Sequence, residues 1–484
     1  MENLNWWTVF LVSVDLVLRL GLSVRVIMRR LPVGVSLAWI AIVVMFPFAG
    51  AIAYLLLGEL RLGVYRAARA AELRAPYQAW LDKVQVGDVD WSSRPAAAEA
   101  LARMCHRTAD MPVTAGNRLE LIENSADALE ALVEAINEAQ SSCHLEFYIW
   151  TAGGLADRVA EAMMAAAARG VTCRMLLDDV GSREFLRSDW VHRLQEAGVA
   201  VEAALQARVW RLIFVRFDLR LHRKLAIIDG RVAYTGSMNL VDARLFKRSA
   251  GVGEWVDAVV RVEGPAVEPL GVTFLGDWAL ESEENLERLQ QTGDVHPQPR
   301  QASAPVQVIP SGPSDPRDAI ERILIAFIYS AQQRLVITTP YFVPDEALLE
   351  ALVSAAQRGV KVTLIVPERV DSRLARLASR SIQGDLAEAG VEVLLFRAGL
   401  LHTKSVCVDG EYSLFGSLNL DPRSLHLNFE LTLAIYDREF TGRLEALQAT
   451  YADKSRALDL DEWRERGMGV RLLENVARLL GPLL

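Results

Sequence analysis

Cysteine is scarce. The 484 residues hold four, Cys105, Cys143, Cys173 and Cys407. No two stand in C-x-x-C spacing, and three lie in apolar, strand-like runs, so neither a zinc site nor a disulfide framework is expected. Positive charge is also in deficit: 52 Lys and Arg against 61 Asp and Glu leave a formal charge of −9. Nucleic-acid binders are usually basic, so no nucleic-acid partner is expected. The opening Met-Glu-Asn has no basic lead-in, and no small-residue cleavage site follows the first apolar run. A cleaved signal peptide is therefore not expected.

Charge is missing altogether from Leu31 to Gly58. One helix of that length would reach about 40 Å, against a hydrocarbon core of ~30 Å. Pro47 and Gly50 inside it are tolerable in a membrane helix. Trp6 to Met28 is a second apolar stretch, interrupted by Asp15, Arg19 and Arg25. Asp15 and Arg19 are four apart and can pair on one helix face. Residues 1–58 thus predict a two-helix transmembrane hairpin. Arginines flank it on both sides in similar number, so the positive-inside rule assigns no orientation.

Residues 59–113 read as a polar, Ala- and Arg-rich juxtamembrane connector. A second composition break, "TGDVHPQPRQASAP", predicts an exposed linker over 292–305. The regions on either side, 114–291 and 306–457, echo each other. "AAAARGVTCRMLLDD" matches "SAAQRGVKVTLIVPE", and "LQEAGVAVEA" matches "LAEAGVEVLL". Each is a helix ending at Gly and then a β-branched apolar run. Alternation of this kind implies an α/β fold, a sheet flanked by helices, in two related copies. Residues 458–484 carry helical apolar spacing, suited either to lying on a membrane or to docking on the domain.

The clearest repeat is "LHRKLAIIDGRVAYTGSMNL" with "LHTKSVCVDGEYSLFGSLNL". The shared letters place His222, Lys224, Asp229, Gly236, Ser237 and Asn239 opposite His402, Lys404, Asp409, Gly416, Ser417 and Asn419. Side chains alternate along a strand, so each His and the Lys two residues on project to one side. Each Asn follows a tight Gly-Ser turn that can return it to the same mouth. A metal site would want His and carboxylates without a Lys beside them. A Ser-His-Asp triad would want one His. Two His, two Lys and two Asn suit a phosphodiester: one imidazole attacks phosphorus, the other protonates the leaving oxygen, and the cations and amides hold the non-bridging oxygens. Neither metal nor cofactor is required. Each imidazole needs an acceptor on its far nitrogen, and each copy has a carboxylate in a following apolar run, Asp257 and Glu430. We expect each to serve the histidine of its own copy. Asp229 and Asp409 stand before a turn, where capping backbone N–H groups is an alternative to a place in the site.

The pattern resembles the HKD motif of the phospholipase D superfamily in both copies. Together with "LAWIAIVVMFPFAGAIAYLLLGEL", "FYIW", "TTPYFVPDE" and "NLDPRSLHLNFE", it makes the chain similar to bacterial cardiolipin synthases of the membrane-anchored, two-HKD type. The resemblance implies two pseudo-twofold-related α/β domains sharing one site. It implies condensation of two phosphatidylglycerols to cardiolipin and glycerol through a phosphatidyl-histidine. His222 would be the nucleophile and His402 the general acid and base, with Lys224, Lys404, Asp229 and Asp409 in the catalytic set. Ser237, Asn239, Asp257, Ser417, Asn419 and Glu430 would support them. It also implies an anionic-lipid partner and multi-pass residence in a bacterial inner membrane. The alternatives are hydrolysis, transfer to another alcohol, and a silent scaffold; intact residues in both copies argue against the last. The basic, aromatic approach to the first motif, Ala207 to Lys224, reads either as a core-packing stripe or as an interfacial element.

Overall fold

The computed structural model describes residues 6–29, 31, 33–46, 48–59, 64–84, 87–206, 216, 218–282, 284–313 and 319–480. The chain divides into two compact units, Met1–Ala68 with Ala207–Leu219, and Arg69–Gln206 with Arg220–Leu484.

The first unit holds helices Trp6–Met28, Val33–Met45 and Ala49–Leu57. The uncharged run is therefore not one helix. It breaks around Phe46–Phe48 into segments of 13 and 9 residues. Proline inside a helix removes a donor and crowds the carbonyl four residues back, and Pro47 stands at this break. Phe48 follows with φ 54°. The last segment then packs back against the one before it. A Cβ on Gly50 would lie 2.3 Å from the Ile42 carbonyl oxygen, so only glycine permits the approach. Trp39 and Tyr54 meet edge-on at 5.5 Å across the same contact. Among the described residues no helix is long and apolar enough to cross a membrane. This corrects the two-span hairpin. The Asp15–Arg19 pair does form, at 2.6 Å, and Glu59 accepts from Arg25 at 2.5 Å. Most of the basic, aromatic approach, 207–215 and 217, lies outside the described residues; Arg216 and Asp218 form an ion pair at 2.6 Å.

The second unit is built on one mixed sheet. The unit's strands are β1 (Val113–Ile122), β2 (Ser142–Phe147), β3 (Thr172–Asp178), β4 (Ala200–Ala204), β5 (Arg220–Leu221), β6 (Lys224–Ile228), β7 (Val232–Gly236), β8 (Trp255–Val256), β9 (Val259–Glu263), β10 (Ala304–Ser311), β11 (Arg334–Thr338), β12 (Lys361–Pro367), β13 (Glu392–Phe396), β14 (Leu400–Leu401), β15 (Ser405–Val408), β16 (Tyr412–Gly416), β17 (Asn428–Ile435) and β18 (Ser455–Ala457), of which β8 and β14 pair with each other apart from the large sheet. At its centre β1 and β10 pair antiparallel, Val113 opposite Gln307 and Thr114 opposite Val306. Outward from β1 the order is β9-β7-β6-β2-β3-β4. Outward from β10 it is β17-β16-β15-β11-β12-β13, with β18 added at the edge. The parallel and antiparallel senses match step for step. The two copies thus form one continuous sheet related across the β1–β10 pair.

Helices cover each half. Ser125–Glu138 and Leu155–Ala168 bury Leu129, Leu132, Val159 and Met163 against the first; Ala319–Ser330, Glu346–Gln357 and Arg373–Glu388 bury Phe327, Leu352, Ile382 and Leu386 against the second. Side chains of Asn124 and Asp345 cap two of these helices. Helix Ala96–Ala109, within the stretch read as a connector, buries Leu101 and Cys105 in the second core. All four cysteines are free and buried.

The aspartates of the repeated motif occupy equivalent turns. Asp229 and Asp409 have φ of 54° and 53°. Asp229 accepts from the backbone N–H groups of Gln140, Ser141 and Ser142 at 2.7–3.1 Å. Asp409 accepts from those of Gln332, Gln333 and Arg334 at 2.7–2.8 Å. Burial works against ionisation of Asp229, but these N–H bonds outweigh it and hold its carboxyl below the usual range. Its contribution is present above the ordinary aspartate pKa and lost as pH falls through the lowered folded value. We expect Asp229→Ala and Asp409→Ala each to cost about 2 kcal/mol, the order of a lost charged hydrogen-bond set. Denaturant titration at neutral pH measures this, and for Asp229→Ala the deficit should shrink in acid.

Candidate active site

Each motif histidine enters from a two-residue strand held by the opposite half. β5 runs parallel to the start of β17, Leu221 beside Phe429, and the His222 N–H donates to the Phe429 carbonyl at 2.8 Å. β14 runs parallel to β8, Leu401 beside Val256, and the His402 N–H donates to the Val256 carbonyl at 2.8 Å. The side chains follow the backbone. His222 Nδ1 donates to Glu430 Oε2 at 2.8 Å, and His402 Nδ1 donates to Asp257 Oδ1 at 2.6 Å. An ionised carboxylate only accepts, which fixes the proton on Nδ1 and leaves Nε2 with a free lone pair. The pairing is therefore crosswise, and the expectation that each carboxylate serves its own copy is corrected. The strand pairs explain why: each histidine is seated beside the segment that leads into the other copy's carboxylate.

The remaining motif residues lock this arrangement. Ser237 Oγ donates to Asp257 at 2.7 Å, and Ser417 Oγ donates to Glu430 at 2.5 Å. Lys224 and Lys404, both buried, donate to the carbonyls of His222 and His402 at 2.6 and 2.5 Å. Asn239 Oδ1 accepts from the Ile149 N–H at 3.3 Å. Asn419 Oδ1 is buried without a partner among the described residues. Asp229 and Asp409 do not reach this place. They lie past the far ends of β6 and β15, whose near ends carry Lys224 and the residue after Lys404. Their carboxylates are occupied by loop N–H groups, which corrects their placing in the catalytic set.

Both histidines and both asparagines line one open cleft. Its walls also hold Arg220, from the basic approach to the first motif, and Tyr148, Lys247, Trp255, Tyr341, Asp371, Asp421 and Arg423, to which the sequence reading gave no role. Tyr148 packs at 4.8 Å from the His222 ring, and Trp255 at 4.3 Å from that of His402. Tyr148 and Tyr341 each follow the strand that pairs with a motif strand, β2 on β6 and β11 on β15, and Trp255 stands two residues before Asp257.

Burial dominates the electrostatics. It presses both imidazoles down to about 4, against the pull of their carboxylates, so both are neutral at pH 7. It lowers Lys224 to about 8 and Lys404 well below its ordinary value, the second lysine adding repulsion. Burial opposes ionisation of Glu430 and Asp257, but the facing histidine, its hydrogen bond and the lysines outweigh it and hold both below the usual range. The site thus offers two free imidazole nitrogens with two buried lysines close by.

The chain is 43% identical over 465 residues to the protein named cardiolipin synthase A of Yersinia pseudotuberculosis, covering 96% of each chain. It matches the cardiolipin synthase A of Erwinia tasmaniensis to the same extent. The family described as "Cardiolipin synthase, PLD-like domain" matches residues 132–250 and 324–450. The chain belongs to the cardiolipin synthase family of phospholipase D-like proteins. The two matched stretches fall one in each half of the sheet, each with one copy of the motif. Residues 17–59 match the family described as "Phospholipase_D-nuclease N-terminal". The fold is shared with phosphatidylserine synthase of Haemophilus influenzae, at TM-score 0.59 and 17% identity over 79% of this chain and 100% of that one.

Crosswise pairing makes a directional expectation for this family member. Glu430→Gln should act on the step that uses His222, and Asp257→Asn on the step that uses His402. Each should cut kcat by ~100-fold or more through loss of the right tautomer, with a smaller effect on Tm; steady-state rates beside thermal melts test this. A second expectation is a bell-shaped pH profile of kcat/KM. Activity rises as pH climbs through about 4, where His222 loses the proton that blocks its Nε2 lone pair. It falls as pH passes about 8, where Lys224 loses its charge.

Proposed function

We propose that this protein joins two phosphatidylglycerol molecules into cardiolipin and free glycerol. The observation that carries the reading is the pair of Nδ1-anchored imidazoles facing one cleft with two buried lysines close by, in a chain of the cardiolipin synthase family. His222 Nε2 attacks the phosphorus of the first lipid. The bond to the headgroup glycerol breaks, and His402, which takes up a solvent proton on Nε2 as the anionic phosphate binds, gives that proton to the departing oxygen. Glycerol leaves and the phosphatidyl group stays on His222. His402, now neutral, takes the proton from a hydroxyl of the second lipid's headgroup. That oxygen attacks phosphorus, the N–P bond breaks, and His222 returns to its starting state. Splitting the transfer into two displacements needs no water at phosphorus.

Charge balance explains how a neutral histidine serves as an acid. Lys224 and Lys404 balance Asp257 and Glu430. A bound phosphodiester adds one negative charge, which favours one imidazolium beside it. The lysines and Asn419, with its unpartnered Oδ1, fit the roles of positioning the phosphate and an attacking hydroxyl. Membrane association of the first unit is part of the proposal. Trp6, Trp7, Phe10 and Ile52 are exposed on its helices, and apolar side chains of this kind enter an interface readily.

The purified protein with phosphatidylglycerol should yield cardiolipin and glycerol in equal amounts; phosphatidic acid instead would make it a hydrolase. His222→Ala and His402→Ala should each lose at least ~1000-fold in turnover while keeping the wild-type melt. With phosphorus-labelled lipid, acid-labile label should remain on the wild-type protein and vanish in His222→Ala. Label that persists there would exchange the two roles.

A further inference from the structure

The C-terminal helix Met468–Leu479 is turned inside out. An amphipathic helix on a domain normally buries its apolar stripe. Here the buried positions are Glu474 and Ala477. Glu474 accepts from Arg380 at 3.0 Å and pairs with Arg466. Ala477 packs with Val343 and Ala378. The opposite face carries Met468, Leu472, Val476 and Leu479, spaced four, four and three residues apart and so stacked in one row. Leu472 is 64% exposed and Leu479 80%. Arg471 and Arg478, also exposed, flank this row, and Glu474 is the helix's one acid and faces inward. The outward surface is therefore apolar with positive charge along its border.

Its position is informative. Val343, which meets Ala477, also lines the catalytic cleft, as does Ala375 of the helix beneath. The apolar row thus stands beside the cleft mouth. We infer that this helix lies on a bilayer carrying anionic phospholipid, with Leu472 and Leu479 among the acyl chains and Arg471 and Arg478 at the phosphates. It presents the mouth to lipids still seated in their leaflet, an inference that rests on the proposed reaction for the identity of the lipid delivered. Apolar area combined with cations is the chemistry of an interfacial helix. A second copy of this chain would place the arginine borders against each other, which charge repulsion disfavours.

Since all four native cysteines are buried, Leu472→Cys in the full chain can carry an environment-sensitive fluorophore at one place. Its emission should shift to the blue on adding phosphatidylcholine vesicles that contain phosphatidylglycerol, and less with phosphatidylcholine alone. A label that stays in water while the protein sediments with the vesicles overturns the inference. So does a shift that follows protein concentration without vesicles, which would make the occupant a second copy. The double variant Leu472→Glu/Leu479→Glu should lose at least ~10-fold in turnover of vesicle-borne phosphatidylglycerol. It should keep its turnover of short-chain phosphatidylglycerol dispersed as monomers. Equal loss on both substrates overturns the inference, because the face would then serve only to hold the helix to its domain. If the unaltered protein makes no cardiolipin but the label still enters the anionic bilayer, the proposed reaction fails and the docking surface stands.

Discussion

Two hydrogen bonds between side chains distant in sequence, His222 to Glu430 and His402 to Asp257, require both halves of the chain to be in place. Neither half can orient its own imidazole. The backbone enforces the exchange first, through β5 on β17 and β14 on β8, and the side chains complete it. These short pairs stand where they do because β1 and β10 join the two half-sheets at the centre. A shift of one residue in that central register would turn side chains to the other face. It would also move both histidines relative to the carboxylates they depend on.

Burying so many ionisable groups is costly unless each has a partner. The site meets that condition by alternation. Each carboxylate accepts from one serine and one imidazole, and each lysine donates to the carbonyl of the histidine two residues before it. The lysine contacts are backbone contacts, so the ammonium charges are positioned but not neutralised by them. Their nearest counter-charges already hold histidines. The lowered lysine values reflect how poorly this buried place solvates an ammonium group.

Much of this was legible from the repeat. The matching letters placed six pairs of residues, the alternation of strand side chains put each His and Lys on one side, and the helix–strand echoes predicted a doubled α/β fold. Crosswise pairing was not legible, because Asp257 and Glu430 follow their motifs at similar distances and nothing local says which imidazole each will meet. That choice is made by β5 and β14, two residues long and below any periodicity. The motif aspartates misled for a related reason: a fixed position in a repeat marks a structural need as firmly as a chemical one, and Asp229 and Asp409 meet backbone N–H groups. The uncharged N-terminal run misled through composition. Hydropathy counted Pro47 and Gly50 as tolerable, whereas Phe48 at φ 54° and the Gly50 contact fold the run back on itself.

Fusing two copies in one chain has a consequence for how alike the two sides of the cleft must be. Two separate identical subunits would carry the same groups around both histidines by symmetry. A tandem chain is free of that restriction, and this one has diverged at the position two residues before each carboxylate. On one side Trp255 packs its indole on His402; on the other Asn428 donates to Glu430 at 3.2 Å. The indole rests on one imidazole itself, whereas the amide at the equivalent position bonds the carboxylate behind the other, so two histidines with the same covalent chemistry work in different surroundings. Covalent linkage here supplies individuality, the condition under which a doubled motif can divide its labour.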